Sequence, residues 1–213
     1  MHAIHDRRRG MTLLEVMISL TVFATAMAGV IMSLGMGGKA YTQSAIHNRL
    51  YGKAGRTMQR LVRELGPAAS ASIQPGDPDG GAQIQFQPVV DSAGGVPVVG
   101  EVTRFFLELD PREIDNGVDD DGDGLVDEQV LVRVTDPLGP TEKRVLLLRD
   151  VRELLEGETD DGIDNNGNGL ADEPGVSFDL DGDLLTIRLT VEAVLEGGRV
   201  VTESLETSMT LRN

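Results

Sequence analysis

Between Val16 and Gly38 the chain runs for 23 residues without a charge, directly behind Arg7-Arg8-Arg9-Gly10-Met11-Thr12-Leu13-Leu14-Glu15. As a helix rising about 1.5 Å per residue, that run covers roughly 35 Å, enough for a hydrocarbon core of about 30 Å. Arginines before an apolar segment resist translocation and keep the front end in the cytoplasm. A plain anchor does not account for Glu15, which lies inside the apolar boundary, where a carboxylate costs at least about 2.5 kcal/mol unless it finds a partner.

Gly10, then Met11-Thr12-Leu13-Leu14-Glu15, then a long apolar helix resembles the prepilin signal of type IV pilins and type II secretion pseudopilins. In that family a membrane-embedded aspartic peptidase cuts after the glycine and methylates the new N-terminus. The resemblance implies a leader of residues 1–10, a cut between Gly10 and Met11, and Glu15 as the fifth residue of the mature chain. It further implies that Glu15 pairs with the N-terminal amine of a neighbouring subunit during assembly. Met11 departs from the phenylalanine usual at that place. Two other readings stay open. One is a cleaved secretory signal with a small-x-small site at Ala24-Thr25-Ala26 or Ala26-Met27-Ala28, although apolar residues continue past it through Val30, Ile31, Met32 and Leu34. The other is a simple signal anchor, which explains the length but not the placement of Gly10 and Glu15.

Beyond Gly38 the helix is expected to continue in water. Ile46, Leu50, Ala54, Met58, Leu61 and Leu65 recur at spacings of three and four, an apolar stripe with Arg49, Lys53, Arg56, Arg60 and Arg63 mostly off it. Gly66-Pro67 ends it, giving a helix from Met11 of roughly 80 Å. Residues 11–38 are assigned to the membrane-spanning half and residues 39–66 to the amphipathic half.

From Ala68 to Gly81 the sequence reads as a loop; then the period changes to two. Gln83 to Gln87, Val102 to Leu109, Val130 to Val134 and Arg144 to Leu148 are short β-rich runs. Leu184 to Leu195 and Val200 to Leu211 flank Glu196-Gly197-Gly198-Arg199, a hairpin signal. Helix first and antiparallel strands after argue α+β, with residues 67–213 as one β-rich domain; strand order is not derivable. Size and cadence, including the helix stretch Ala54 to Leu65 and a terminal strand closing on Met209-Thr210-Leu211-Arg212-Asn213, make the chain similar to J-type minor pseudopilins and W-type minor pilins.

Two acidic segments, 113–128 and 158–173, are an internal repeat offset by 45 positions, Glu113 matching Glu158 and Glu128 matching Glu173. In each, oxygen-bearing side chains alternate ahead of a glycine: Asp119, Asp121, Asp123, Gly124 and Asp164, Asn166, Asn168, Gly169. Alternate side chains on a tight loop converge on one centre, and hard cations such as calcium take six to eight oxygens. The carbonyl of Leu125 or Leu170, and then Asp127 or Asp172, complete the expected set. The segments resemble the calcium loops of EF-hand, dockerin and thrombospondin type 3 repeats. They depart from the EF-hand pattern at the twelfth position, where Val130 and Gly175 replace the glutamate. Water, Glu128 or Glu173, or Asp115 and Asp160 must then finish the shell. Without His, Met or Cys in either segment, zinc and copper are disfavoured. The bland alternative is a solvated acidic loop, crowded with like charge. Asp179-Leu180-Asp181-Gly182-Asp183 reads as a turn.

Formal charge is −16; without residues 1–10, which hold three arginines and Asp6, 16 basic residues face 34 acidic ones, giving −18. The two acidic segments hold 14 of those surplus charges. Such a chain repels a phosphate backbone, so nucleic acid is an unexpected partner. There is no cysteine, hence no disulfide framework. His2 and His5 lie in the leader, His47 stands alone on the helix, and no serine sits in a nucleophile-elbow context, so no catalysis is expected. The expectation is a minor pseudopilin of a type II secretion system, with two alternatives: a minor pilin of a type IV pilus, or a calcium-dependent membrane-anchored adhesin. Its expected partners are other subunits through the N-terminal helix, the prepilin peptidase and the membrane. Its expected place is the bacterial inner membrane, single-pass with the C-terminal domain in the periplasm, and later a filament.

Overall fold

The computed structural model describes residues 11–75, 81–195 and 197–211. The expected leader with Gly10, Glu196 of the expected hairpin turn, and Arg212 and Asn213 of the terminal strand lie outside the described residues.

Helix α1 runs Leu13–Leu65, two residues short of the expected start. No proline interrupts it, and Gly66-Pro67 stops it: the Gly66 N–H still donates to the Val62 carbonyl at 2.9 Å, while Pro67 has no N–H to continue the ladder. The chain divides within this helix into two units, Met1–Ala45 and Ile46–Asn213. In the first, every described residue from Met11 through Gly38 is exposed, and the helix is long and apolar enough to cross a membrane. Two of its hydroxyls are satisfied within the helix, Thr21 donating to the Met17 carbonyl and Thr25 to those of Thr21 and Val22, as suits an apolar solvent.

In the second unit the helix buries the expected stripe: Leu50, Ala54, Met58, Leu61 and Leu65, with Ile46 packed against them. Ten strands follow: β1 Gln74–Pro75, β2 Gln83–Phe86, β3 Val89–Ala93, β4 Val96–Val99, β5 Thr103–Leu109, β6 Gln129–Thr135, β7 Lys143–Val151, β8 Val176–Asp181, β9 Leu184–Val194 and β10 Val200–Thr210. Eight form one antiparallel sheet in the order β1-β2-β5-β6-β7-β9-β10, with β8 pairing β9. Phe86 and Phe105 stack at 5.5 Å between centroids in a core that joins the helix stripe to Phe178, Leu185, Ile187 and Leu189. The architecture is α+β: one long N-terminal helix with an antiparallel sheet.

Three features differ from the sequence reading. The expected loop after Ala68 contains a short 3₁₀ turn, Ser70–Ser72, and β1. A separate hairpin, β3–β4, turns on Gly94 (φ 61°) and Gly95 (φ 84°), the left-handed pair that a two-residue turn demands. Most of the expected turn at Asp179–Asp183 is strand: β8 continues through Asp181 and pairs with β9 as far as Asp181 opposite Leu184, leaving Gly182 (φ 59°) and Asp183 as the turn. The acidic segments fall at strand connections, the first between β5 and β6 and the second between β7 and β8.

Candidate functional site

At the front of α1, Thr12 and Glu15 form a reciprocal cap. The Glu15 N–H donates to Thr12 Oγ1 (3.3 Å), and Glu15 Oε2 accepts from the Thr12 N–H (3.1 Å) and from Thr12 Oγ1 (3.2 Å). This is the Ser/Thr-x-x-Glu box, which satisfies N–H groups that a helix start leaves without partners. The carboxylate that the sequence singles out therefore has a partner inside its own chain.

The two acidic loops share a backbone plan, set by the same residues 45 positions apart. In the first, the Asp110 N–H closes onto the Glu128 carbonyl (3.0 Å); in the second, the Leu155 N–H closes onto that of Glu173 (2.9 Å). Asp119 accepts from the N–H groups of Gly122 and Gly124 at 2.7 and 2.9 Å, and Asp164 from those of Gly167 and Gly169 at 2.6 and 2.8 Å. Gly124 is constrained twice: its φ is 92°, and a Cβ there would lie 3.0 Å from Val194 Cγ2.

Asp127 does not join the oxygen cluster. Both its oxygens are taken by the N–H groups of Asn116 and Gly117 (3.2 and 2.7 Å), and Asp172 holds Asp161 and Gly162 in the same way (3.1 and 2.8 Å). These two expected ligands brace the loops, at left-handed φ of 51° and 54°. Leu125 and Leu170 donate their N–H groups to Asp123 and Asn168, and the Leu125 side chain is buried.

Carboxylate oxygens of Asp119, Asp121 and Asp123 lie within 4.8 Å of one another, and so do those of Glu113, Asp121 and Glu128; Asp121 belongs to both clusters. Glu113 and Glu128 are buried, Glu128 at 1% exposure. Glu113 accepts from the N–H groups of Asp121 (2.9 Å) and Asp120 (3.3 Å). Neither side-chain oxygen of Glu128 has a hydrogen-bond partner. Burial, opposed by its own backbone N–H and reinforced by Asp123, Glu113 and Asp121, pushes its carboxyl up to about 7.

Arg112, one position ahead of the acidic segment, provides a counter-charge that the segment itself lacks. It pairs with Asp110 (3.0 Å) and Asp121 (2.6 Å) but stays 3.9 Å from Glu128. Burial opposes ionisation of Asp110, yet hydrogen bonds from Arg112 and Arg149 outweigh it and hold that carboxyl below the usual range. Arg49, Lys53, Arg56, Arg60, Arg112 and Arg149 line one groove, with Asp123 and Asp150 on it.

The second loop differs at one decisive atom. Glu173 is equally buried, but Asn168 Nδ2 donates to its Oε1 at 2.6 Å, while Asn168 Oδ1 still accepts from Leu170. Burial raises the Glu173 carboxyl, with the Asn168 hydrogen bond working against the rise. His47, expected to stand alone, lies with Nδ1 2.6 Å from Glu203 Oε1. The sequence reading left Glu113, Glu158 and Arg112 out of the site; identity of the first and last glutamates between the repeats was the available signal.

Residues 5–37 match the family model of the prokaryotic N-terminal methylation motif. No curated protein and no solved structure matches the chain. The motif, joined to a single apolar N-terminal helix able to span a membrane, defines the front of the chain as that of a type IV pilin-like protein or pseudopilin.

Proposed function

We propose that this chain is a minor pseudopilin, a structural subunit of the periplasmic pseudopilus of a type II secretion system that exports folded proteins across the outer membrane. The observation that carries the reading is Glu15, an acid directly ahead of the uncharged run from Val16 to Gly38 and inside the matched motif. In this reading the subunit waits in the inner membrane with its N-terminus in the cytoplasm and residues 46–213 in the periplasm. The peptidase cuts between Gly10 and Met11. On extraction into the filament, Glu15 leaves Thr12 for a neighbour's Met11 amine, and the apolar helices bundle, burying the face that lipid covered. In this reading the role is structural rather than catalytic.

The same motif fits a minor pilin of a type IV pilus, and a genetic test separates the two. Deletion is expected to stop export of folded enzymes while leaving surface piliation and attachment intact; the opposite outcome assigns the chain to a pilus. Mass spectrometry of the mature protein is expected to find a methylated Met11, and a start near Met27 or Gly29 would make it a secreted protein instead. Glu15→Ala is expected to leave membrane insertion unchanged and to abolish incorporation into filaments.

A further inference from the structure

We propose that the first acidic loop, residues 113–128, is a calcium site completed by the buried carboxylate of Glu128, and that the second loop, residues 158–173, has replaced the ion with the amide of Asn168. This assignment does not rest on the filament reading.

A cluster of acids alone would not establish a site. The independent observation is Glu128: 1% exposed, both side-chain oxygens without a hydrogen-bond partner, and one of them within 4.8 Å of carboxylate oxygens of Glu113 and Asp121. A buried carboxylate without donors is strongly disfavoured unless a cation compensates it. Arg112 is the one cationic side chain among the described residues with a nitrogen within 4.0 Å of it, at 3.9 Å, and that guanidinium is already committed to Asp110 and Asp121.

Asp121 stands in both carboxylate clusters. Oxygens up to about 5 Å apart can share one calcium, since each ligand lies about 2.3–2.6 Å from the ion. The proposed ion sits at Asp121, the residue that the turn cluster with Asp119 and Asp123 shares with the protein-side cluster of Glu113 and Glu128; Glu113 also accepts from two backbone N–H groups. The donors are all oxygens, the set preferred by a hard cation.

The second loop supplies the internal comparison. Its backbone bonds repeat those of the first, so loop shape does not distinguish them. At position 168 an asparagine stands where the first loop has Asp123. Its Oδ1 accepts the Leu170 N–H, as Asp123 Oδ1 accepts that of Leu125, and its Nδ2 donates to Glu173. Asp123 has no such donor. Asn166 replaces Asp121 in the same way and removes a second charge. In this account the second loop, where calcium was expected on Asp164, Asn166, Asn168, Leu170 and Asp172, offers an ion less charge, and Asn168 satisfies one oxygen of the buried acid while Glu173 Oε2 stays without a hydrogen-bond partner.

The test uses the full chain in detergent micelles, stripped with EGTA and titrated calorimetrically with calcium chloride to about 10 mM, above the range of about 10⁻⁴ to 10⁻³ M typical of extracellular modules. One ion per chain is expected. Asp123→Asn and Glu128→Gln should each weaken binding by about tenfold or more, because affinity follows ligand charge. Asp123 is exposed, so that variant tests the site without touching the core. Glu173→Gln should leave the titration unchanged, and the double variant Asn166→Asp, Asn168→Asp should bind a second ion. No calcium uptake by the parent, undiminished affinity in Asp123→Asn, or loss of the signal in Glu173→Gln would overturn the assignment. A double variant that folds and still binds one ion would overturn the account of the difference between the loops.

Discussion

Single atoms decide most of what separates the two acidic loops. Asp123 and Asn168 occupy matching places and differ at a terminal atom, yet only Asn168 can donate to the glutamate beneath it. Alternation alone made Asp119, Asp121 and Asp123 legible in the sequence, because every second side chain of a tight loop converges. Asp127 was read as a ligand by the same rule, but positive φ turns it toward the N–H groups of Asn116 and Gly117. Burial of Glu113 and Glu128 was not legible, since it depends on where the neighbouring strands lie. Away from the loops, Glu192 on β9 is raised from the ordinary 4.5 by burial. The native chain then keeps a proton that the unfolded chain releases, so stability falls as pH climbs from about 4.5 through the native pKa. Glu192→Gln should therefore be more stable than the parent at about pH 8, with the gap narrowing toward about pH 5, as read by urea unfolding.

Elements were read well where their period was long and clean. The stripe from Ile46 to Leu65 repeats over several turns, and its members are buried as expected. Leu61, with no exposed surface, is at the centre of that face. Leu61→Ala should cost about 2–5 kcal/mol, a fall in melting temperature of roughly 5–15 °C by calorimetry. The hairpin of β9 and β10 keeps unbroken register from Val194 opposite Val200 to Leu184 opposite Thr210, and alternation over eleven residues announced it. Strand β8 escaped notice because Asp179 and Asp181 suggested a turn, although Val176, Phe178 and Leu180 alternate with them. Its pairing depends on β9, a contact that local sequence does not encode. The β3–β4 hairpin carried a Gly94-Gly95 signal, but its strands are exposed throughout and show no buried face to mark them.

At the scale of the molecule, the buried cluster among the described residues begins at Leu50, with Ile46 packed against it. A chain started at Ile46 is expected to fold in water without detergent and to melt cooperatively, as followed by circular dichroism. Calcium at ten times its dissociation constant should stabilise the parent by about 1.4 kcal/mol, or roughly 3–6 °C. At the same calcium concentration Glu128→Gln should gain no more than about 0.4 kcal/mol, and in EGTA it should melt no lower than the parent, since a neutral amide is easier to bury than a lone charge. One consequence concerns time. Asp127 and Asp119 already fasten the first loop through four backbone N–H groups, so an arriving ion meets a finished cradle and has no segment to fold. Loading and release then run at the pace of diffusion and dehydration, and the domain can track a swing in external mineral content within a single encounter.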